Sequence, residues 1–332
     1  MGKEVSDDLS AGGQTVKSQF TLGVDLGGTK TEIIALDTSG KECFRKRTAT
    51  VKGSYPDTIK TISSLVLAAQ EQTGGSCPLG IAIPGTVSLK TGVIKNANSW
   101  WLNGHDLKAD LAAVFGHEEI YLENDANCFA LSEAVDGSGK DGDMVWGIIL
   151  GTGSGSGLIH NKKIWRGRNL LGGEWGHNSL PWITSEEAAA WTDVKCFCGQ
   201  KNCIETFVSG TGLERDYAKR TDSFDPEAMV YPHNSEYIIE KMREGDATAK
   251  ASFAAYVSRL ARSIANYANF FDPDAIVLGG GMSNIDELYE LLPEKIKEYI
   301  FGGEFDTPVV KALYGGSSGV RGAAWLPAMH RS

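Results

Sequence analysis

The sequence predicts an α/β protein in which two similar halves enclose a cleft. Its length of 332 residues exceeds what one hydrophobic core usually serves, and 42% of its residues are apolar, enough to fill two cores. Short apolar runs alternate with helical patterns along the chain. A strand–glycine turn–strand pattern also occurs twice, which indicates an internal duplication with one copy in each half.

The same three-strand pattern opens each half. In the first half, the apolar runs cover 20–25 and 31–36, and a third run ends at Thr48. In the second half, they cover 144–150, 157–160 and 163–166. Glycine turns at Gly27-Gly28 and at 151–155 separate the first two runs of each set. Short runs joined by tight turns predict a meander of antiparallel strands in each half.

Helices and buried strands are predicted to follow each meander. They are a helix between Ser54 and Gly74, strands at 79–83 and 120–123, a helix to about Val135, a helix at 247–271, a strand at 275–278 and a helix at 319–328. The Gly- and Asp-rich stretch 136–143 is the predicted hinge. We therefore expect a flexible extension at 1–18, a small domain at 19–138 and a large domain at 139–317, with the C-terminal helix 318–332 packed on the small domain.

Charge and composition exclude several classes of protein. The chain has 32 basic and 42 acidic residues, a net charge of −10, and the scattered basic residues disfavour nucleic acid and anionic membranes as partners. No run approaches the ~18 apolar residues of a membrane span. The first residues also lack the apolar segment of a secretory signal. We therefore expect a cytoplasmic protein.

The glycine turns indicate a nucleotide site. From Gly23 to Lys30 the glycine spacing approaches a P-loop, but Thr29-Lys30 reverses the required order and a strand follows, so a P-loop is excluded. Bare amides in these turns can still bind phosphate, although each turn alone could be an ordinary hairpin. A third glycine run at 279–281 favours one nucleotide held by both halves.

Asp125 has two interpretations. It follows a buried strand and opens a helix, where aspartate commonly serves as the N-cap. The carboxyl end of a strand is also where α/β proteins bind ligands. A carboxylate there could accept a proton from a hydroxyl group.

A cysteine cluster indicates a metal site. Cys196, Cys198 and Cys203 crowd into eight residues, and His177 precedes them after a glycine-rich segment. Three thiolates and one imidazole form the ligand set of a tetrahedral structural zinc site. Glu174 and Glu205 flank this cluster, and a zinc loop could hold both carboxylates toward the cleft.

These motifs resemble the ROK (repressor–open reading frame–kinase) family of bacterial sugar kinases, within the actin/hexokinase-like (ribonuclease H-like) superfamily. The similarity extends from Thr21 to Leu326. It rests on the turn 25–30, on Glu123-Asn124-Asp125, on Glu174-Trp175-Gly176-His177 and on Cys196-x-Cys198-Gly199-x3-Cys203-x-Glu205. Asn202 stands where the family usually has glycine. The fold implied is two α/β domains around an interdomain cleft.

The resemblance implies transfer of the γ-phosphoryl group of MgATP to the 6-hydroxyl of a hexose, with Asp125 as the catalytic base. The implied sugar contacts are Gly85, Asn98, Asn124, Asp125, Glu174, His177 and Glu205. The implied ATP contacts are Asp25, near Mg²⁺, with Gly27, Gly28, Thr29, Lys30, Gly151, Thr152, Gly153, Ser154, Gly155, Gly280 and Gly281. The implied ligands of a structural Zn²⁺ are His177, Cys196, Cys198 and Cys203. Relatives often pair, so a homodimer is also expected.

Two stretches resemble the fructokinase (manno(fructo)kinase) branch of the family. They are Asn96-Ala97-Asn98-Ser99-x-Trp101-Leu102-Asn103-Gly104, which contains the run Trp-Leu-Asn-Gly, and Glu174-Trp175-Gly176-His177-Asn178-x-Leu180-Pro181-Trp182. The N-acetylglucosamine kinases usually have Phe at the position of Trp175 and lack the run. Indole side chains near the sugar would leave little room for an acetamido group. We therefore predict fructose as the substrate, with N-acetylglucosamine, N-acetylmannosamine, glucose or mannose as alternatives.

Two other functions fit the sequence poorly. The sugar-responsive repressors of the family carry a helix-turn-helix domain before the first strand, and the residues ahead of Phe20 do not show one. A dehydrogenase is not expected, because the glycine spacing of a dinucleotide-binding fold is missing.

Overall fold

A computed structural model describes residues 19–331 except 227 and 229, so the predicted extension at 1–18 lies outside the described residues. The first half contains β1 (Phe20–Leu26), β2 (Lys30–Asp37), β3 (Glu42–Ala49), α1 (Tyr55–Thr73), β4 (Leu79–Ile83), β5 (Thr86–Val87), β6 (Ile94–Lys95), α2 (Leu107–Phe115), β7 (Ile120–Asn124) and α3 (Asp125–Val135). The second half contains β8 (Met144–Leu150), β9 (Ser154–His160), β10 (Lys163–Ile164), α4 (Ser185–Ala190), α5 (Glu205–Val208), α6 (Gly210–Arg220), α7 (Ser235–Glu244), α8 (Ala247–Phe271), β11 (Ala275–Gly279), α9 (Glu287–Lys297), β12 (Val309–Lys311) and α10 (Ser318–Arg331).

Each half contains a five-stranded sheet with the same topology. The first sheet has the order β3-β2-β1-β4-β7 and the second the order β10-β9-β8-β11-β12. In both, the first three strands along the chain pair antiparallel, the fourth strand of the sheet pairs in parallel with the first, and the fifth pairs in parallel with the fourth. The repeated strand order agrees with the predicted duplication and confirms the α/β class.

Helices α3 and α10 lie between the two sheets and pack unusually close to their neighbours. A Cβ atom at Gly322 of α10 would lie 1.7 Å from the carbonyl oxygen of Cys128 in α3, so only glycine permits this contact. A Cβ atom at Gly157 of β9 would lie 2.8 Å from the carbonyl oxygen of Ala126. These contacts fix the N-terminal end of α3, which begins with Asp125, relative to the second sheet.

The helix predictions agree well with the structure, and one strand prediction needs correction. Helix α8 has the predicted bounds, and Ser54 caps α1 by accepting a hydrogen bond from the Asp57 amide at 3.3 Å. The glycine turn is shorter than the predicted 151–155. Ser154 and Gly155 already belong to β9, where they pair with Leu150 and Ile149 of β8. The domain limits at 138 and 317 remain predictions.

The helices give no indication of membrane insertion. Along the part of the chain that the structure describes, every helix is too short or too polar to cross a lipid bilayer.

Candidate active site

A cleft of about 1120 Å³ contains most of the predicted site. The predicted residues in its lining are Gly85, Asn98, Asn124, Asp125, Gly151, Thr152, Gly153, Ser154, Gly155, Glu174, His177 and Glu205. The predicted ATP residues outside the lining are Asp25, Gly27, Gly28, Thr29, Lys30, Gly280 and Gly281. The structure therefore brings all the predicted sugar residues and the second glycine turn together in one cavity.

Helix α3 is capped by Asn124, and the interpretation of Asp125 as the cap is wrong. Asn124 has extended backbone angles, and its side-chain oxygen accepts hydrogen bonds from the amides of Ala126 at 2.9 Å and Asn127 at 3.3 Å. Its amide nitrogen donates to the carbonyl oxygen of Gly85 at 3.2 Å. Asp125 is the first residue of the helix, so its side chain is not needed to cap the N-terminus of α3.

The Asp125 carboxylate lines the open cleft and keeps an exposed surface there, while the protein around it desolvates it in part. This desolvation raises the pKa of Asp125 to about 6, although hydrogen bonds from backbone amides, such as that of Ala126 at 2.8 Å, act in the opposite direction. The negative charge of Glu174 also raises the pKa. At neutral pH the group is mostly ionised and can accept a proton.

Asp25 lies at the end of β1 and interacts electrostatically with Asp125. Burial raises the pKa of Asp25 to about 7, and the negative charges of Asp125 and Glu32 raise it further, whereas Lys30 lowers it. A bound cation would offset this excess of negative charge. The first glycine turn, which follows Asp25, therefore lies near Asp125 although it does not line the cleft.

The first and third glycine runs have different surroundings. The carbonyl oxygen of Gly27 accepts a hydrogen bond from the Thr50 hydroxyl at 2.7 Å, and Gly28 is exposed. Gly280 has a φ of 80°, and a Cβ atom there would lie 2.4 Å from the carbonyl oxygen of Leu150, the residue before Gly151. The third glycine run therefore lies beside the second glycine turn.

Glu205 connects the second glycine turn to the cysteine cluster. Its Oε2 accepts a hydrogen bond from the Ser154 amide at 3.0 Å, and its Oε1 lies 3.7 Å from the sulfur of Cys196. A Cβ atom at Gly153 would lie only 2.6 Å from Oε2. This turn therefore needs glycine at 153 to keep the carboxylate in place.

The predicted metal ligands form a compact group. The ligand atoms of His177, Cys196, Cys198 and Cys203 all lie within 4.8 Å of one another. The sulfurs of Cys198 and Cys203 are 3.6 Å apart, and His177 Nδ1 is 3.4 Å from the Cys196 sulfur. Tetrahedral zinc with Zn–S bonds of about 2.3 Å places its sulfur ligands ~3.8 Å apart, so these residues fit the ion.

The histidine of this group also faces Glu174. His177 Nδ1 points toward the cysteines, and Nε2 lies 3.8 Å from Glu174 Oε2. One ring nitrogen is thus available to a metal and the other to a ligand in the cleft. Asn202, in the same loop, has a φ of 60°. This left-handed conformation explains why glycine is usual at this position in the family, and asparagine tolerates it better than most other residues.

Sequence reasoning assigned no role to Glu123 and missed Arg166, the two charged residues behind Asn124 and Asp125. Glu123 is buried and accepts hydrogen bonds from the Asn124 amide at 2.9 Å and from Asn127 Nδ2 at 3.0 Å, and it forms an ion pair with Arg166. This network holds the end of β7 against the second half of the chain. The position of Glu123 beside Asn124-Asp125 was a usable signal, whereas nothing local indicated Arg166.

Of the two tryptophans that supported fructose, Trp101 lies outside the cleft lining and Trp175 is a buried part of that lining. Trp101 donates its Nε1 hydrogen to Thr58 at 3.2 Å and is not part of the lining. Trp175 is only 2% exposed and packs edge to face on Trp146 at 5.2 Å, so it forms part of the wall. Neither indole excludes an acetamido group by filling the sugar site.

The comparisons with known proteins are consistent with one another. The sequence model of the ROK family matches residues 21–329. Proteins named N-acetyl-D-glucosamine kinase from Vibrio cholerae and Yersinia enterocolitica are each 36% identical to this chain, covering 92% of it and 98% of their own length. A ROK family glucokinase from Streptomyces griseus, solved in complex with glucose and AMPPNP, is 29% identical, with a TM-score of 0.71 over 92% of this chain and 98% of that chain.

These relatives overturn the predicted substrate. The chain resembles N-acetyl-D-glucosamine kinases along almost its entire length, so the prediction of fructose is wrong, and the alternative of an N-acetylated amino sugar agrees better. The prediction of fructose failed because it relied on two tryptophans near the sugar, whereas Trp175 is buried and Trp101 lies outside the cleft lining.

Proposed function

The chain belongs to the ROK family, and from that membership we propose that it transfers the γ-phosphoryl group of ATP to the 6-hydroxyl of N-acetyl-D-glucosamine. The observation that carries the substrate assignment is the 36% identity to N-acetyl-D-glucosamine kinases over nearly full length. The cleft supports the reaction type, because a carboxylate of raised pKa stands beside polar residues suited to a sugar and a glycine turn suited to phosphates.

In the proposed reaction, Asp125 accepts the proton of the 6-hydroxyl group as that oxygen attacks the γ-phosphorus. A bond forms between the sugar oxygen and phosphorus, and the bond from the γ-phosphorus to the oxygen bridging it to the β-phosphate breaks, so that ADP leaves. Asp125 is the first residue of α3, where the positive end of the helix dipole stabilises negative charge. Phosphoryl transfer depends mainly on positioning and charge stabilisation, so a single base suffices.

The sugar is proposed to bind between the two halves. Asn98 and Asn124, with the backbone at Gly85, face it from the first half, and Glu174, His177 and Glu205 face it from the second. The hydrogen bond from Asn124 to Gly85 orients the asparagine amide before any substrate binds. Preorganised groups of this kind reduce the entropy lost on binding.

The glycine turns around Gly28 and Gly153 are proposed to hold the phosphates, with Gly280 and Gly281 near the adenosine. Asp25 is proposed to bind Mg²⁺ through water, since its raised pKa of about 7 indicates a site in need of positive charge. When bound, Mg²⁺ would neutralise phosphate charge. Lys30 begins β2, directly after the first glycine turn, and its Nζ lies 3.8 Å from Glu32 Oε2.

The cluster of His177, Cys196, Cys198 and Cys203 is proposed to hold structural zinc. The ion would cross-link the loop and fix the His177 tautomer, so that Nε2 remains directed toward Glu174 and the sugar. Through Glu205, the loop also supports the Ser154 amide in the phosphate turn. A homodimer and a cytoplasmic location remain predictions.

A coupled ADP-release assay tests the proposal. The purified chain would be assayed with MgATP and N-acetylglucosamine, N-acetylmannosamine, glucose, mannose and fructose. We expect the highest kcat/KM for N-acetylglucosamine, with glucose as the useful comparison. A higher kcat/KM for a sugar without an acetamido group would refute the substrate assignment, and no ADP release with any of the five would refute the kinase assignment.

A further inference from the structure

Part of the cleft is an aromatic surface that the proposed mechanism does not use. Trp165, Tyr267 and Phe271 form it, and Trp175 lies at its inner end. The ring centroids are 6.2 Å apart for Trp175 and Tyr267, 6.3 Å for Tyr267 and Phe271, and 5.5 Å for Trp165 and Phe271. We call these four residues the aromatic wall.

The aromatic wall begins where the polar sugar site ends. Trp175 directly follows Glu174, and the Glu174 amide donates a hydrogen bond to the carbonyl oxygen of Leu171 at 3.2 Å. Leu171 also lines the cleft and is largely exposed. An apolar surface therefore borders the hydroxyl-binding residues on the side of Glu174.

The outer part of the aromatic wall is open to solvent. Trp165 is 45% exposed, and Phe270, which contacts Phe271 and also lines the cleft, is more exposed still. Exposed apolar groups at the mouth of a cavity commonly mark a binding surface. The cleft volume of about 1120 Å³ also leaves space beyond a single hexose ring.

We propose that the aromatic wall is the subsite for the N-acyl group of the substrate, a proposal that rests on the proposed function. An N-acetylated amino sugar has a hydroxyl-rich ring and one flat, partly apolar substituent. The polar residues suit the ring, and aromatic faces bury the acyl methyl group. Because the outer end of the wall is open, the subsite also accepts longer N-acyl groups.

The test compares sugars with and without the acyl group. For wild type, Trp165→Ala and Phe271→Ala, kcat/KM is measured for N-acetylglucosamine, N-butanoylglucosamine and glucose. We expect the ratio of N-acetylglucosamine to glucose to fall roughly tenfold in each variant, the usual effect of losing a small apolar contact. Wild type should use N-butanoylglucosamine within about tenfold of N-acetylglucosamine. Phe301→Ala, at a residue that is 95% exposed and outside the cleft lining, is the matched control.

The outcomes separate this proposal from the proposed function. If wild type prefers N-acetylglucosamine but the ratio to glucose is unchanged in Trp165→Ala, the acyl subsite is refuted and the substrate assignment stands. If wild type does not phosphorylate N-acetylglucosamine, both fail. A melting curve accompanies each variant, and if Phe271→Ala does not fold, Trp165→Ala at its partly exposed position decides the question.

Discussion

Replacing Asp125 with asparagine tests the catalytic base directly, because the structure removes the competing explanation. Asn124, not Asp125, caps α3, so Asp125→Asn leaves the cap intact. The hydrogen bond that the Ala126 amide donates to Asp125 at 2.8 Å can be kept by the asparagine oxygen. We therefore expect the variant to fold as wild type does, with a melting temperature that is not lowered.

The expected loss is in turnover. With a pKa of about 6, Asp125 is ionised in roughly 97% of molecules at pH 7.5, so wild type has its base in the active form. Asparagine cannot accept a proton. We expect kcat to fall by roughly 10²–10⁴, or about 3–5.5 kcal/mol in activation free energy, the usual contribution of a general base. KM for the sugar should change by less than about threefold, because the amide still forms hydrogen bonds.

The assay is steady-state ADP release by the purified variant, accompanied by a melting curve. Asp106→Asn is the matched control, since Asp106 caps α2 by accepting a hydrogen bond from the Ala109 amide at 3.0 Å and lies outside the cleft lining. That control should keep both stability and turnover. A folded Asp125→Asn variant that retains more than about a tenth of the wild-type kcat would remove Asp125 from the proposed mechanism.

Three further predictions follow from the site. In a pH profile, kcat/KM should decline as the pH falls through about 6, since protonated Asp125 cannot act as a base; a flat profile from pH 7 to 5 would contradict this. Metal analysis should find about one zinc per chain in wild type and in Cys43→Ser, but far less in Cys203→Ser; a metal-free active wild type would refute the site. Gly153→Ala should displace Glu205, which lies 2.6 Å from the added Cβ, and raise KM for sugar or ATP roughly tenfold; unchanged kinetics would show that the turn adapts.

Much of the fold could be predicted because its signals are local. Helical periodicity predicted α8 with its observed bounds, and the glycine turns marked both meanders. The glycine at 157 was harder to interpret, because it serves close packing against Ala126, which is distant in the sequence. Similarly, adjacent Asn124 and Asp125 are both good caps by residue type, and only the backbone angles distinguished them.

The sequence by itself determined the α/β class, the family resemblance and the grouping of the proposed metal ligands, because short motifs such as Cys196-x-Cys198-x4-Cys203 contain most of that group within a few residues. Only the tertiary structure decided where the tryptophans lie. The expectation that Trp101 and Trp175 restrict the sugar site led to the prediction of the wrong sugar. The aromatic wall likewise combines the loop after β10 with the end of α8, about a hundred residues apart. Side chains from such distant segments meet only through packing, so no local pattern in the sequence could reveal the shape of the pocket.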